Sequence, residues 1–204
     1  MIRVTEVPGR WARRAVSHLM LVAPAAVVLG VLPSASWAQA TPACPRGSGL
    51  ITTATLGVPV MREGNGLGAV NLGGSPADVE RAWGRPVDCL ARQTSYAYHY
   101  QLSDDGGQTA LLVAVTFHQD RVEQILASLL PHSGGLGPVM RTGRGVAILA
   151  PAGEVRRVYG THTLESQNAL GYMAEGVAFQ ISRGVVGSIL IFAAGTVPAG
   201  WRLP

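Results

Sequence analysis

The sequence predicts an α+β fold of two tandem units, each a short helix packed on an antiparallel β-meander of three to four strands. Two short segments recur in the same order in both halves of the chain. Apolar residues alternate along several runs, as is typical of half-buried strands. The 26 Gly and 13 Pro among 204 residues favour short elements. Helices so short are stable only when packed on a sheet, so we expect one layer of each type per unit.

Residues 1–40 are predicted to be a cleaved signal peptide. Four arginines precede an apolar run at 19–32, and small residues at 36–40 offer two cleavage sites. The alternative is a membrane anchor, but the run is about 14 residues and a spanning helix needs roughly 20. We therefore expect a periplasmic or secreted protein with no transmembrane span in the mature chain.

The basic residues limit the chemistry. All 16 are arginine, which excludes mechanisms that need a lysine amine, such as a Schiff base with pyridoxal phosphate. Residues 1–40 hold four arginines and one acid, which leaves 12 arginines, 11 acids and a net charge of about +1. The pI of 9.6 belongs largely to the signal peptide, so we expect no nucleic-acid partner.

Two cysteines, Cys44 and Cys89, remain after cleavage. An even number of cysteines in an exported chain favours a disulfide between them. One alternative is a buried Cys89 thiol with Cys44 unpaired. Another is a lipid-modified Cys44, although 41–43 make a poor lipidation signal.

The internal repeat sets the predicted boundaries. Residues 59–64 recur at 138–143, residues 78–84 recur at 154–160, and the strand pair at 117–125 is similar to that at 179–189. Such matches indicate a duplication of roughly 75 residues per unit. The predicted parts are an N-terminal extension (41–54), unit 1 (55–130), a linker (131–137), unit 2 (138–197) and a C-terminal tail (198–204).

Each unit begins with a helix. In the first, Ser75 is the N-cap, Pro76 takes the first position, Asp78 completes a capping box and Gly84 ends the helix. The second helix has a weaker start and ends at Gly160.

Strands follow each helix. In unit 1 they are predicted at 87–91, 95–102, 110–118 and 122–129, with turns at 104–107 and 119–120. In unit 2 they are predicted at 169–174, 177–182 and 185–192, with a tight turn at 183–184.

A resemblance to a known family is carried by the helix at 72–86, by a shorter similar segment at 151–160, and by the strand pairs at 113–125 and 177–192. They resemble the SmpA/OmlA (BamE-like) envelope proteins, in a tandem-repeat form similar to the β-lactamase inhibitor protein. The resemblance covers roughly residues 55–195 and implies a non-catalytic, protein-binding envelope module. It carries over no contact residue, and without a convincing lipidation signal it does not imply an outer-membrane anchor.

No catalytic or cofactor motif is present. The sequence lacks the histidine and cysteine spacings of zinc sites and the Gly-x-Ser-x-Gly of hydrolases. Residues 64–69 fit a dinucleotide fingerprint formally, but a strand follows them where a helix should begin. We expect no catalytic residue, no metal site, no cofactor and no enzymatic activity.

The candidate partner-binding residues are Tyr96, Tyr98, His99 and Tyr100. The three tyrosines alternate, so they lie on one face of a strand. If that face is open, they form a platform for a protein partner. If it meets the helix, they are core residues and the opposite face, with His99, is the binding surface.

These features predict an exported, non-catalytic module that binds another envelope or secreted protein through its sheet faces or the groove between units. The alternative is a small-ligand or lipid-binding periplasmic protein with its pocket between the units. The sequence does not indicate an oligomeric state.

Overall fold

The computed structural model describes residues 44–57, 59–92, 94–103, 109–130, 140–166, 168–198 and 201. The predicted signal peptide, the linker at 131–137 and the turn at 104–107 lie outside these residues. Within the described ranges, no helix combines the length and apolar character needed to cross a membrane.

Nine strands form the larger sheet, in the order β1-β6-β7-β8-β13-β12-β11-β10, with β5 also paired to β6. Its first five strands in the chain are β1 (Leu50–Thr52), β5 (Asp88–Ala91), β6 (Ser95–Ser103), β7 (Thr109–His118) and β8 (Arg121–Leu129). The other four are β10 (Leu164–Ser166), β11 (Ala169–Tyr172), β12 (Val177–Ser182) and β13 (Val185–Phe192). All neighbours are antiparallel except β1 and β6.

Four short strands form a second sheet in the order β4-β3-β2-β9. They are β2 (Val60–Arg62), β3 (Gly66–Leu67), β4 (Val70–Asn71) and β9 (Arg141–Thr142). The parallel pair β2 and β9 joins residues 81 positions apart along the chain, with Val60 opposite Arg141 and Met61 opposite Thr142. The helices are α1 (Thr53–Leu56), α2 (Pro76–Trp83) and α3 (Ala152–Tyr159).

The main core lies between the large sheet and a layer made of α2, α3 and the small sheet. Val79 and Trp83 of α2, Val155 of α3 and Met61 of β2 belong to one buried cluster with the inward residues of the large sheet. In the described part of the chain no helix covers the opposite face of this sheet, which we call the open face.

The predicted fold class is wrong. The protein is mostly β, and the strands that follow α2 and α3 do not form separate sheets. The last strands of the two meanders pair instead, with Gln124–Ser128 of β8 antiparallel to Ser188–Phe192 of β13. An unpaired strand edge leaves its N–H and C=O groups without protein partners, and this pairing satisfies them.

Individual elements agree better with the sequence. Ser75 caps α2, where its Oγ accepts from the Asp78 N–H and the Asp78 carboxylate accepts from the Ser75 N–H, as predicted. The predicted inward alternation on β7 is confirmed, since Leu111, Val113 and Phe117 are all buried. The short strands β1, β2, β3, β9 and β10 were not predicted, because two or three residues carry no visible period.

Candidate functional site

Two of the candidate tyrosines point into the core. Tyr98 is 6% exposed and Tyr100 is fully buried. The Tyr98 hydroxyl donates to Glu80 Oε1 at 3.0 Å, and the Tyr100 hydroxyl donates to the Gly84 carbonyl at 3.0 Å. Burial first, and the charge of the nearby Glu80 second, raise the pKa of Tyr100. These side chains therefore fasten α2 to β6.

Tyr96 lies at the margin of the same face and is partly exposed. Its ring stacks on Phe117 with centroids 4.9 Å apart, and its hydroxyl donates to Asp120 Oδ1 at 2.8 Å. Burial and then the bond to Asp120 raise its pKa, so the hydroxyl stays protonated at neutral pH. Of the three tyrosines, only Tyr96 has substantial surface available to a partner.

The alternate residues of β6 lie on the open face. Ala97 is opposite Leu90 of β5, and Gln101 is opposite both Leu50 of β1 and Leu112 of β7. Leu50 is 48% exposed and Leu90 is 47% exposed. We call this area the His99 surface, and its residues are Leu50, Leu90, Ala97, His99, Gln101 and Leu112.

A disulfide stabilises the margin of the His99 surface. Cys44 and Cys89 are bonded, as predicted. Asp88, opposite His99, lies 3.8 Å from the Arg46 guanidinium, which the same bond brings close. Since disulfides persist in oxidising compartments, the protein is secreted or periplasmic.

A pocket of about 300 Å³ lies farther along the open face, at the junction of β8 and β13. We call it the Trp201 pocket. Its lining residues come from five strands and the C-terminal segment, and they are Ala114, Thr116, Gln124, Leu126, Ala169, Ala178, Gln180, Ser188, Leu190 and Trp201.

The lining is uncharged but rich in hydrogen-bonding groups. The Ser188 hydroxyl lies 2.8 Å from Ser128 Oγ and 3.4 Å from Gln180 Oε1. The Nε2 of Gln124 is buried and has no hydrogen-bond partner among the described residues. A buried donor without an acceptor is destabilising, and Gln124 is thus the one lining residue with an unsatisfied buried side-chain polar atom in the described part of the chain.

Sequence reasoning missed this pocket. Its residues are spread over 88 positions, from Ala114 to Trp201, and only the pairing of β8 with β13 brings them together. One signal was available. Gln124, Gln180 and Ser188 are polar residues at strand positions that are followed directly by an apolar residue pointing into the core, Ile125, Ile181 and Ile189.

The carboxylate of Glu63, on the covered side of the large sheet, connects the small sheet to α3. The Tyr159 hydroxyl donates to Glu63 Oε1 at 2.5 Å and lies 2.7 Å from Thr142 Oγ1. The N–H groups of Gly143 and Arg144 also donate to Glu63. Burial raises the pKa of Glu63, but these hydrogen bonds outweigh it and the pKa is lowered. The ionised carboxylate therefore has a structural role, and we call its hydrogen bonds to Tyr159, Gly143 and Arg144 the Glu63 tie.

No group of three or more His, Cys, Asp or Glu side chains in the described ranges is arranged to hold a metal ion. His99 and His118 lie on neighbouring strands, β6 and β7. They are not in register, because His99 is opposite Ala114 and His118 is opposite Ser95.

Comparisons with known proteins do not identify a family. No family model and no curated protein matches the sequence. A cysteine-rich secretory protein from Staphylococcus aureus is similar at 10% identity and a TM-score of 0.38, over 65% of this chain and 50% of that one. An extracellular protein containing an SCP domain from Bacillus anthracis is similar at 9% identity and a TM-score of 0.37, over 61% and 44%. The chain thus spans about half the length of these two structures, and TM-scores this low support no conclusion about fold or function.

Proposed function

We propose that this exported protein is a non-catalytic binding module that docks another envelope or secreted protein on the His99 surface. The observation that carries the proposal is the exposure of Leu50 and Leu90, each nearly half exposed, on the open face of the large sheet. The resemblance to the BamE-like proteins points to the same class of function and remains a prediction.

The chemistry of the His99 surface suits a protein partner. Leu50, Leu90 and Leu112 supply apolar area, while His99 and Gln101 supply hydrogen-bonding groups among them. Protein interfaces combine apolar area with polar groups and a few charges in this way, and the charges here are the exposed Asp88 and Arg46 beside His99. Leu50 and Leu90 are already about half buried, so a partner that covers either of them completely gains about half of the roughly 1.5–3 kcal/mol that full burial of a leucine is worth.

The test is recovery of a partner from the protein's own cell envelope. The tagged full chain is expressed, exported, crosslinked and purified, and co-purifying proteins are quantified for wild type, Leu90→Arg and Val197→Arg. Val197 is the matched control because it is an aliphatic residue of similar exposure, 40%, outside the His99 surface.

We expect Leu90→Arg to reduce the recovered partner at least tenfold, as for a residue at the centre of an interface. Val197→Arg should recover it at the wild-type level. Equal recovery by both variants would overturn the assignment to the His99 surface, and the absence of any protein partner would overturn the proposed function.

A second candidate function is the binding of a small ligand, because the open face also contains the Trp201 pocket. Its volume of about 300 Å³ is at the lower end of the range for small-molecule sites. This function involves different residues from the His99 surface, so the two candidates can be tested separately.

A further inference from the structure

We infer that the Trp201 pocket binds an uncharged saccharide. This inference rests on the second candidate function and specifies the class of its ligand. It is carried by three properties of the pocket: a lining without charge, an unpartnered buried amide, and a position in the middle of the sheet.

The lining excludes ions as ligands. None of its ten residues carries a charge. A phosphate, carboxylate or ammonium group placed there would lose hydration without gaining a counter-charge, which is costly. The ligand is therefore neutral.

The polar groups argue against a purely apolar ligand. Gln124 Nε2 already lacks an acceptor, and the Gln180 amide and Ser188 hydroxyl face the same pocket. An acyl chain would leave the Gln124 donor without an acceptor and would offer nothing to the Gln180 amide, at about 1–3 kcal/mol for each buried group left unsatisfied. A ligand with its own hydroxyl or amide groups would satisfy them instead.

The position of the pocket argues against an extended peptide. A peptide that adds to a sheet needs an unpaired strand edge. The pocket lies over β7, β8, β13 and β12, whose backbones pair with neighbours on both sides. Recognition must therefore come from side chains alone.

A sugar ring matches these side chains. Its hydroxyls both donate and accept, as amide and hydroxyl side chains do. Its C–H groups can pack against the apolar walls, which are formed by Leu126, Leu190 and the Trp201 indole. The same indole lies against the backbone at Gly171, where an added Cβ would be 3.2 Å from its Cζ3. This contact holds the ring as one wall of the pocket.

The experiment is a titration of the ¹⁵N-labelled exported protein, followed by the NMR signals of the tryptophan indoles. The probes are glucose, N-acetylglucosamine and maltose at millimolar concentrations, with glucuronate and hexadecanoate for contrast. Trp83 is the internal reference because it is the last residue of α2 and is buried in the core on the other side of the sheet. A Trp201→Phe variant identifies the reporting signal.

We expect at least one neutral sugar to shift the Trp201 signal in a saturable manner while the Trp83 signal stays in place. Gln124→Ala should weaken that binding about tenfold, since it removes a donor to the ligand. The matched control is Gln101→Ala, which removes a glutamine from the His99 surface of the same face and should leave the affinity unchanged.

Several results would overturn the inference. If hexadecanoate saturates the pocket and the sugars do not, small-ligand binding stands and the saccharide assignment fails. If none of the probes shifts Trp201, both fail. Equal sugar affinity in Gln124→Ala and wild type would also contradict the assignment, because the ligand would then bind without the one unpartnered donor.

Discussion

The two eight-residue helices α2 and α3 occupy similar places on the large sheet and are held there by different contacts. The first turn of α2 is capped by Ser75 and Asp78, next to each other in the chain. Pro151 precedes α3 and makes no side-chain cap. The end of α3 is held instead by Tyr159, whose hydroxyl bonds Glu63, 96 residues away. The start of α2 is thus fixed by a local cap that α3 lacks, whereas the end of α3 bonds a carboxylate from a distant segment.

The open face differs between its ends in a corresponding way. The His99 surface presents two half-exposed leucines near a disulfide, whereas the Trp201 pocket is concave, uncharged and rich in amide and hydroxyl groups. Side chains that alternate on similar strands therefore produce an apolar docking surface at one end and a small-ligand pocket at the other. The first of the following changes should affect one end of the open face and spare the other, and the remaining changes compare the contacts of the two helices.

Removal of the disulfide is expected to have the largest effect. The Cys44→Ser/Cys89→Ser variant opens a loop with a sequence separation of 45, which should lower the free energy of unfolding by about 4 kcal/mol. Chemical denaturation measures this loss. Because the bond anchors β5, recovery of the partner should fall, whereas sugar binding in the Trp201 pocket should persist in the folded fraction. Loss of sugar binding alone would contradict the separation of the two ends.

A matched pair of hydroxyl deletions compares the two helices. Tyr159→Phe should cost about 1.5–3 kcal/mol, because its hydroxyl donates to a carboxylate. Tyr100→Phe should cost about 1 kcal/mol, because its hydroxyl donates to a neutral carbonyl. Thermal and urea unfolding of both variants give the comparison, and a greater cost for Tyr100→Phe would show that the Glu63 tie is unimportant.

The Glu63 tie predicts a dependence of stability on pH. The folded-state pKa of Glu63 lies below its ordinary value of 4.5, so the unfolded chain takes up the proton first as the pH falls. The stability that Glu63 contributes is complete above pH 4.5 and is lost as the pH falls through the folded-state pKa. Glu63→Gln should flatten the plot of the free energy of unfolding against pH in this window. An unchanged slope would contradict the assignment.

The smallest effect is expected from the cap of α2. Ser75→Ala should destabilise the protein by about 1 kcal/mol. Hydrogen bonds from the Ser75 N–H and hydroxyl, and then from Arg81, hold the pKa of Asp78 at about 2. The substitution should raise it toward 3.8, as an NMR titration of the carboxyl group would show. A pKa that stays at about 2 would mean that the N–H of residue 75 and Arg81 are sufficient without the hydroxyl.

The parts of the fold that the sequence predicted are those with local causes. The cap at Ser75 depends on neighbouring residues, and the alternation along β7 depends on a period of two. The two meanders form one sheet because β8 pairs with β13, and no local sequence pattern predicts that pairing. The prediction of two separate helix-and-meander units was therefore wrong. The small sheet was missed for the same reason, since β2 and β9 pair residues 81 positions apart.

The candidate site was predictable to a similar degree. The alternation of Tyr96, Tyr98 and Tyr100 showed that they share a face, but which face is covered depends on α2 packing against β6. Burial of Tyr98 and Tyr100 favours the interpretation in which the His99 side is open. The Trp201 pocket required the register of four central strands and the position of the C-terminal segment.

The most direct test of the account is site-specific photocrosslinking in the living cell. A photoreactive residue is placed at His99, on the open face, or at Arg157, a side chain of α3 that is 74% exposed on the covered side. The account predicts a discrete crosslinked product of higher mass from position 99 and none from position 157. A product from position 157 without one from position 99 would show that the protein binds its partner through the helical layer, and would contradict the central claim.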